Sequence, residues 1–211
     1  MTKVYLIRHV QAEGNLRRVF HGHTEGGVTD LGRKQAKRLR ARFADIPLDA
    51  VYASDLTRAK FTAEEIAAEH PYIPFVTSSN LREIHAGAWE GQTLADIAVH
   101  FPDEYEGFLN TDLSTRLGGG ESLLEAAERL KAAILSLAEE HENGTVAVIS
   151  HGCALKSLFT LLCGKPVKLG TNATVSLLTV DRGSITPVFL WDDSHLEEVK
   201  SPAFSDIRKE G

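Results

Sequence analysis

Cysteine is scarce in this sequence: 211 residues hold only Cys153 and Cys163, both in one apolar segment. If that segment is helical, a rise of ~1.5 Å per residue puts them ~15 Å apart, beyond the ~7 Å between Cα atoms that a disulfide tolerates. A disulfide scaffold is thereby excluded. No uncharged apolar run approaches the ~20 residues of a membrane helix, and "MTKVYLIRH" is too short to serve as a signal-peptide core. With reduced cysteines, these features predict a cytoplasmic location. Positive charge is also in deficit, with 23 Lys and Arg against 29 Asp and Glu and a formal net charge of -6. No global field attracts nucleic acid or an anionic membrane, so neither is expected as a partner. Any bound anion must be held by local cations. Internal repeats, low-complexity tracts and Pro/Gly/Ser-rich linkers are missing as well, which predicts one domain over residues 1–211.

The chain is 43% hydrophobic and 25% charged, a globular composition. Short runs rich in β-formers occur at residues 3–7, 49–54, 74–78 and 145–150, and they read as buried strands. Between them lie helical patterns at 30–43 behind a Thr29 cap, at 55–69, and at 122–140. The alternation predicts an α/β three-layer sandwich: a mostly parallel sheet with helices on both faces. Two last runs, 175–180 and 184–191, flank "DRG", a hairpin signal that gives the sheet an antiparallel edge strand. Ligand sites in such sheets form beyond the carboxyl ends of the strands. Arg8-His9, Ser54-Asp55 and Ser150-His151 all fall there. Residues 84–120, with glycines, aromatics and only short helical patterns, read as a lid or specificity insertion. The polar tail "KSPAFSDIRKEG" is expected to be loosely held.

Five segments, in order, carry a resemblance: "LIRHVQAEGN", "VTDLGRKQA", "SDLTRAKFTAE", "LREIHAGAWEGQT", and "GGGES" followed by "VISHG". Together they resemble the histidine phosphatase superfamily, which also contains the cofactor-dependent phosphoglycerate mutases. The resemblance implies a phosphoglycerate mutase-like fold, with His9 as nucleophile, Arg8, Arg58 and His151 around it, and Glu83 as proton donor. It also implies a phosphate contact from the Asn15 amide. His151 and Gly152 open an apolar helical segment whose N-terminus is expected to face the anion. The loop holding His21 and Gly22 is expected beside the phosphate, and Asn172 at its far side.

The residue types suit that chemistry. In-line attack on a phosphomonoester needs its equatorial oxygens held and their charge balanced, and planar, permanently charged guanidinium groups do both. Those cations also disfavour imidazolium at His9, leaving a ring nitrogen free to attack. The expected activity is metal-independent hydrolysis of a small phosphorylated metabolite through phosphohistidine, with no cofactor. A homodimer is compatible with the sequence.

Alternatives are a phosphoglycerate mutase and a phospho-ligand-binding module without turnover. The mutase branch carries a paired-arginine segment, whereas Arg116 stands alone between Glu83 and Gly118. The module reading rests on Val10 and Ala12, where the family usually has Gly and often Thr; Val10 is expected to narrow the pocket and to require negative φ. His21 and His23 invite a metal reading, but spacing identifies no third ligand, and no metal is expected. A dinucleotide-binding oxidoreductase is disfavoured because "RHVQAEG" lacks the glycine-rich turn. Most of Phe20, Trp89, Phe101, Tyr105 and Phe108 are expected to pack the insertion, and Lys156 reads as a solvated helix charge.

Overall fold

In the computed structural model, residues 1–202 are described, and their strands form one six-stranded sheet in the order β3-β2-β4-β1-β5-β6. The strands are β1 (Thr2–Arg8), β2 (Ala50–Ser54), β3 (Phe75–Ser78), β4 (Thr145–Ser150), β5 (Val175–Asp181) and β6 (Ser184–Asp192). The first four are mutually parallel. The antiparallel edge is a hairpin: β5 runs against β1, and β6 lies outside it. Its two-residue turn places Arg182 at φ 48° and Gly183 at φ 78°, the left-handed pair whose twist matches that of the flanking strands. Strand β3 departs from the buried-strand expectation. It is the other edge, and Phe75 and Val76 are exposed, because an apolar run alone does not reveal whether both faces are covered.

Period-two alternation divides the core between the two faces. Leu6, Tyr52, Val146 and Val148 point to one side, whereas Ile7, Val51, Ala147 and Ile149 point to the other. The second side is covered by α2 (Asp30–Phe43) and α3 (Thr57–Ala67) through Leu39, Phe43, Ala63 and Ile66. The first is covered by α6 (Leu123–Glu140) and α7 (Gly152–Cys163) through Leu130, Ile134, Leu155 and Phe159. These are the three layers. Local caps explain the helix starts: the Thr29 side chain accepts from Gly32 N, and Ser122 and Glu125 form a reciprocal capping box. Helix α3 starts two residues later than the pattern suggests, since the Asp55 carboxylate is taken by Arg82 at 2.6 Å. Both cysteines ride on α7 and are free.

The short helix α1 (Glu13–Arg17) follows β1, and residues 84–120 hold α4 (Leu94–His100) and α5 (Pro102–Asn110). This segment adds to the core. Trp89 is fully buried, with the rings of Phe20 and Phe108 each 5.6 Å away. Lys156 is not solvated as expected. It is 9% exposed, its Nζ donates to the Phe108 carbonyl at 3.3 Å, and it lies 5.2 Å from the Phe108 ring centroid, tying the segment to α7. The beginning of the tail is docked and not loose: Ser201 is buried and its hydroxyl accepts from Gln35 Nε2 at 2.9 Å. The rest of that tail, 203–211, lies outside the described residues. Among the described residues no helix is long and apolar enough to cross a membrane.

Candidate active site

Parallel strands deliver their last residues to one edge, and a cavity of about 130 Å³ opens there. Arg8 ends β1 and His9 follows it; Arg58 lies in the first turn of α3, after β2; His151 caps α7 directly after β4. Glu83 stands just past the short turn that follows β3. Arg8, His9, Asn15, Arg58 and Glu83 line the cavity, as do His21, Gly22 and Asn172. His151 and Gly152 do not line it and sit behind: His151 is fully buried, with its ring centroid 5.0 Å from that of His9. At roughly 10–15 Å³ per water on the same measure, the volume suits a small ligand.

The His9 ring is held in one tautomer. Its Nδ1 lies 2.7 Å from the Val10 carbonyl, which only accepts, so Nδ1 carries the hydrogen and Nε2 of the neutral ring has a free lone pair. Burial, then Arg58 and Arg8, hold its pKa well below the usual imidazole range. His151 is pushed the same way by burial, Arg58 and His9. His21, half-buried, is also lowered, by burial first and then Arg58.

The guanidinium groups are anchored at one side and open at the other. Arg58 donates through Nη1 to the Thr24 carbonyl at 2.9 Å and through Nη2 to the Gly22 carbonyl at 2.8 Å. Arg8 donates through Nη1 to the Gly170 carbonyl. Its Nε is buried without a partner, as are both ring nitrogens of His151. Unsatisfied buried polar atoms are rare in native folds, and among the described residues four of six such side-chain atoms belong to this site, the fourth being the hydroxyl of Thr171 in the cavity wall. Desolvated donors around a cavity form an anion trap.

Glu83 occupies the position at which the α7 N-terminus was expected to meet the anion. Its Oε1 accepts from Ala154 N at 2.7 Å and Ile84 N at 3.0 Å, and its Oε2 from Cys153 N at 3.1 Å. The helix-end donors are therefore spent on a carboxylate. Oε2, with one acceptor position in use, retains capacity for a proton. Gly152 serves Arg8: a Cβ there would lie 2.9 Å from the Arg8 Cζ. Asn15 Oδ1 accepts from Ala12 N at 3.0 Å and Asn172 Nδ2 at 3.2 Å, which leaves the Asn15 amide nitrogen to donate. Asn172 Nδ2 also reaches the His9 carbonyl at 3.1 Å, so this side chain steadies its neighbours.

Val10 does not narrow the cavity. Its side chain is packed in the α2/α3 core, its φ is not positive, and its N–H donates to Thr62 Oγ1 at 3.1 Å. Ala12 is likewise buried and away from the cavity lining. His21 and His23 diverge. The His21 ring lies over Gly14, where a Cβ would be 1.7 Å from its Nε2, whereas the His23 ring reaches the Glu83 backbone. Among the described residues no group of three or more His, Cys, Asp or Glu side chains is arranged to hold a metal. Sequence reasoning passed over Arg18, Leu94, Cys153 and Gly170, which also border the cavity. Nothing local marks them, since they come from four separate elements. Burial, then Glu83, pushes the Cys153 thiol up, so it is no thiolate nucleophile. Phe20 and Phe108 are the aromatic residues of the insertion core that reach the cavity wall.

Comparison with known proteins agrees with this architecture. The chain is 30% identical over 201 residues to phosphoglycerate mutase-like protein 4 of Arabidopsis thaliana, covering 93% of this chain and 87% of that one. It is 29% identical over 164 residues to phosphoserine phosphatase 1 of Hydrogenobacter thermophilus, covering 78% and 77%. The solved structure of Bacillus stearothermophilus YhfR superimposes with a TM-score of 0.86 at 30% identity, over 93% of this chain and 100% of that one. Entamoeba histolytica phosphoserine phosphatase in complex with phosphoserine gives a TM-score of 0.81 at 26% identity, over 93% and 100%. Residues 4–193 match the histidine phosphatase superfamily, branch 1, and with the fold, the strand-end cavity and these relatives the chain belongs to that superfamily.

Proposed function

We propose that the protein is a metal-independent phosphatase that hydrolyses a small phosphomonoester through a phosphohistidine on His9. The observation that carries this reading is the His9 ring itself: its Nδ1 lies 2.7 Å from the Val10 carbonyl, and burial among guanidinium groups disfavours protonation of Nε2. Arg8, Arg58 and the Asn15 amide hold the phosphoryl oxygens, and His151, whose ring nitrogens are buried without a partner beside His9, turns a ring N–H to one of them once the phosphoryl group is bound. His9 Nε2 attacks phosphorus in line while the bond to the ester oxygen breaks and Glu83 Oε2 delivers a proton to that oxygen. Water then attacks the phosphohistidine, Glu83 takes its proton, and phosphate leaves with His9 neutral again.

The test is hydrolysis of p-nitrophenyl phosphate with EDTA present. Turnover should survive chelation and fall by several orders of magnitude in His9→Ala, and enzyme quenched in alkali should carry a base-stable, acid-labile phosphate on His9. Full hydrolysis by His9→Ala would overturn the reading.

A mutase acting on phosphorylated glycerate is the second reading, supported by similarity to a phosphoglycerate mutase-like protein. Within residues 84–120 the single arginine, Arg116, is exposed and spent on the Gly120 carbonyl and on Glu125, not on the cavity. That weighs toward the phosphatase. Product analysis separates the two: release of inorganic phosphate from 3-phosphoglycerate against its isomerisation. A binding module without turnover is less favoured, since neither Val10 nor Ala12 lines the cavity.

A further inference from the structure

We propose that His23, outside the cavity lining, is a positioning residue for the proton donor Glu83, and that the 21–24 loop sets the anion-binding Arg58 and the acid from one piece of backbone. The proposal rests on the reading of Glu83 as the group that protonates the leaving oxygen. The His23 Nε2 lies 2.8 Å from the Glu83 carbonyl oxygen. A carbonyl only accepts, so Nε2 is the donor and the ring is fixed in that tautomer. On either side of His23, the carbonyls of Gly22 and Thr24 take the two hydrogen bonds from Arg58. The three consecutive residues thus alternate between the two halves of the reaction: phosphate binding, acid, phosphate binding.

The loop is itself well anchored. Glu90 Oε1 accepts from His23 N and from Ala86 N, each at 3.0 Å. Gly22 has φ +51°, and a Cβ there would lie 2.3 Å from Glu90 Oε1, so this path of the chain requires glycine. The Glu83 carbonyl receives a second, longer bond from Arg129 Nη2 at 3.3 Å, and Arg129 is paired with Glu121 at 2.8 and 2.9 Å. Glu83 is therefore gripped at three points: its carboxylate by the α7 amides, its carbonyl by Arg129, and the same carbonyl more tightly by His23. Without the imidazole the backbone at Glu83 relaxes, and the Oε2 proton no longer lies in line with the ester oxygen. Misplacement of a catalytic group by ~1 Å costs on the order of 10²-fold.

Leaving-group dependence reads this role directly. An aryl phosphate departs without a proton, whereas an alkyl phosphate needs one, and kcat/KM reports only the steps through cleavage of the ester bond. We would measure kcat/KM for p-nitrophenyl phosphate and β-glycerol phosphate, with the inhibition constant for inorganic phosphate, in wild type, His23→Ala, His23→Gln and Glu83→Gln. In His23→Ala the alkyl ester should lose ~10-fold or more, the aryl ester less than ~3-fold, and phosphate inhibition should not change. His23→Gln, whose amide can donate to the same carbonyl, should recover most of the loss. Equal losses for both esters, or weakened phosphate binding in step with them, would mean a merely structural histidine and overturn the proposal. If Glu83→Gln discriminates between the esters and His23→Ala does not, the positioning role alone falls. If neither discriminates, the assignment of Glu83 as acid falls with it.

Discussion

The reactivity proposed for His9 is a matter of a few groups within hydrogen-bond reach. One carbonyl selects its tautomer, and burial with two guanidinium groups suppresses its protonation. Removing one cation should therefore move its titration upward, toward the ordinary histidine value near 6.5. An NMR titration of the His9 ring in Arg58→Met should show this rise, while Arg58→Lys, which keeps a charge, should show a smaller one; an unmoved titration would locate the suppression in burial alone. At this scale much was legible from the chain. Arg8-His9, Arg58 and His151 follow apolar runs or helix starts and meet at one edge of the sheet. The choice of the Val10 carbonyl as the ring's partner was not, because it depends on a side-chain rotamer.

The N-terminus of α7 shows how one element serves several residues. It presents amides to Glu83, and at Gly152 it presents a surface with no side chain to the Arg8 guanidinium. Gly152→Ala places a Cβ 2.9 Å from Arg8 Cζ and 3.0 Å from Nε, so the guanidinium must shift. Alanine favours a helix over glycine by up to ~1 kcal/mol, so helicity by circular dichroism should persist while the inhibition constant for phosphate rises by about tenfold or more. Unchanged inhibition would show that Arg8 tolerates the intrusion. The start of α2 was readable to the residue because Thr29 caps it locally, and that of α6 to within one residue, the pattern opening at Ser122, which caps a helix that begins at Leu123. The cap of α7 was not, since its carboxylate comes from Glu83, some 70 residues earlier.

Across the molecule, the imidazoles with lowered pKa, His21 among them, share a consequence for acid stability. His9 and His151 are held well below their ordinary pKa, and His195 is lowered to about 4, by burial first and then Arg42. His195 accepts from Arg42 Nη1 at 2.8 Å and donates from Nε2 to the Ala173 carbonyl at 3.0 Å. Ala173 N in turn donates to the carbonyls of Arg8 and His9 at 3.1 and 3.2 Å, so this distant network steadies the strand end that carries Arg8 and His9. In the unfolded chain these rings protonate near 6.5, whereas in the native state they stay neutral to lower pH. Below that value the unfolded state binds more protons, so stability falls as pH drops. Melting temperatures should accordingly decline from about pH 6.5 downward, with the His195 share of the loss complete near its native value of about 4. His195→Gln, which cannot take a proton there, should give a shallower decline; an identical slope would remove His195 from the account.

The alternation of strand and helix, the turn at Arg182-Gly183 and the arrival of Arg8, His9 and His151 at one edge follow from periodicity, capping and turn chemistry. These act over a few residues and can be read along the chain. Which strand would be the exposed edge, where Glu83 would rest, why Val10 leaves the cavity open and what His23 would hold were settled by contacts between residues many positions apart. Such contacts exist only once the layers have packed, because a hydrogen bond or a ring contact needs both partners placed to within a fraction of an ångström, and local pattern places neither.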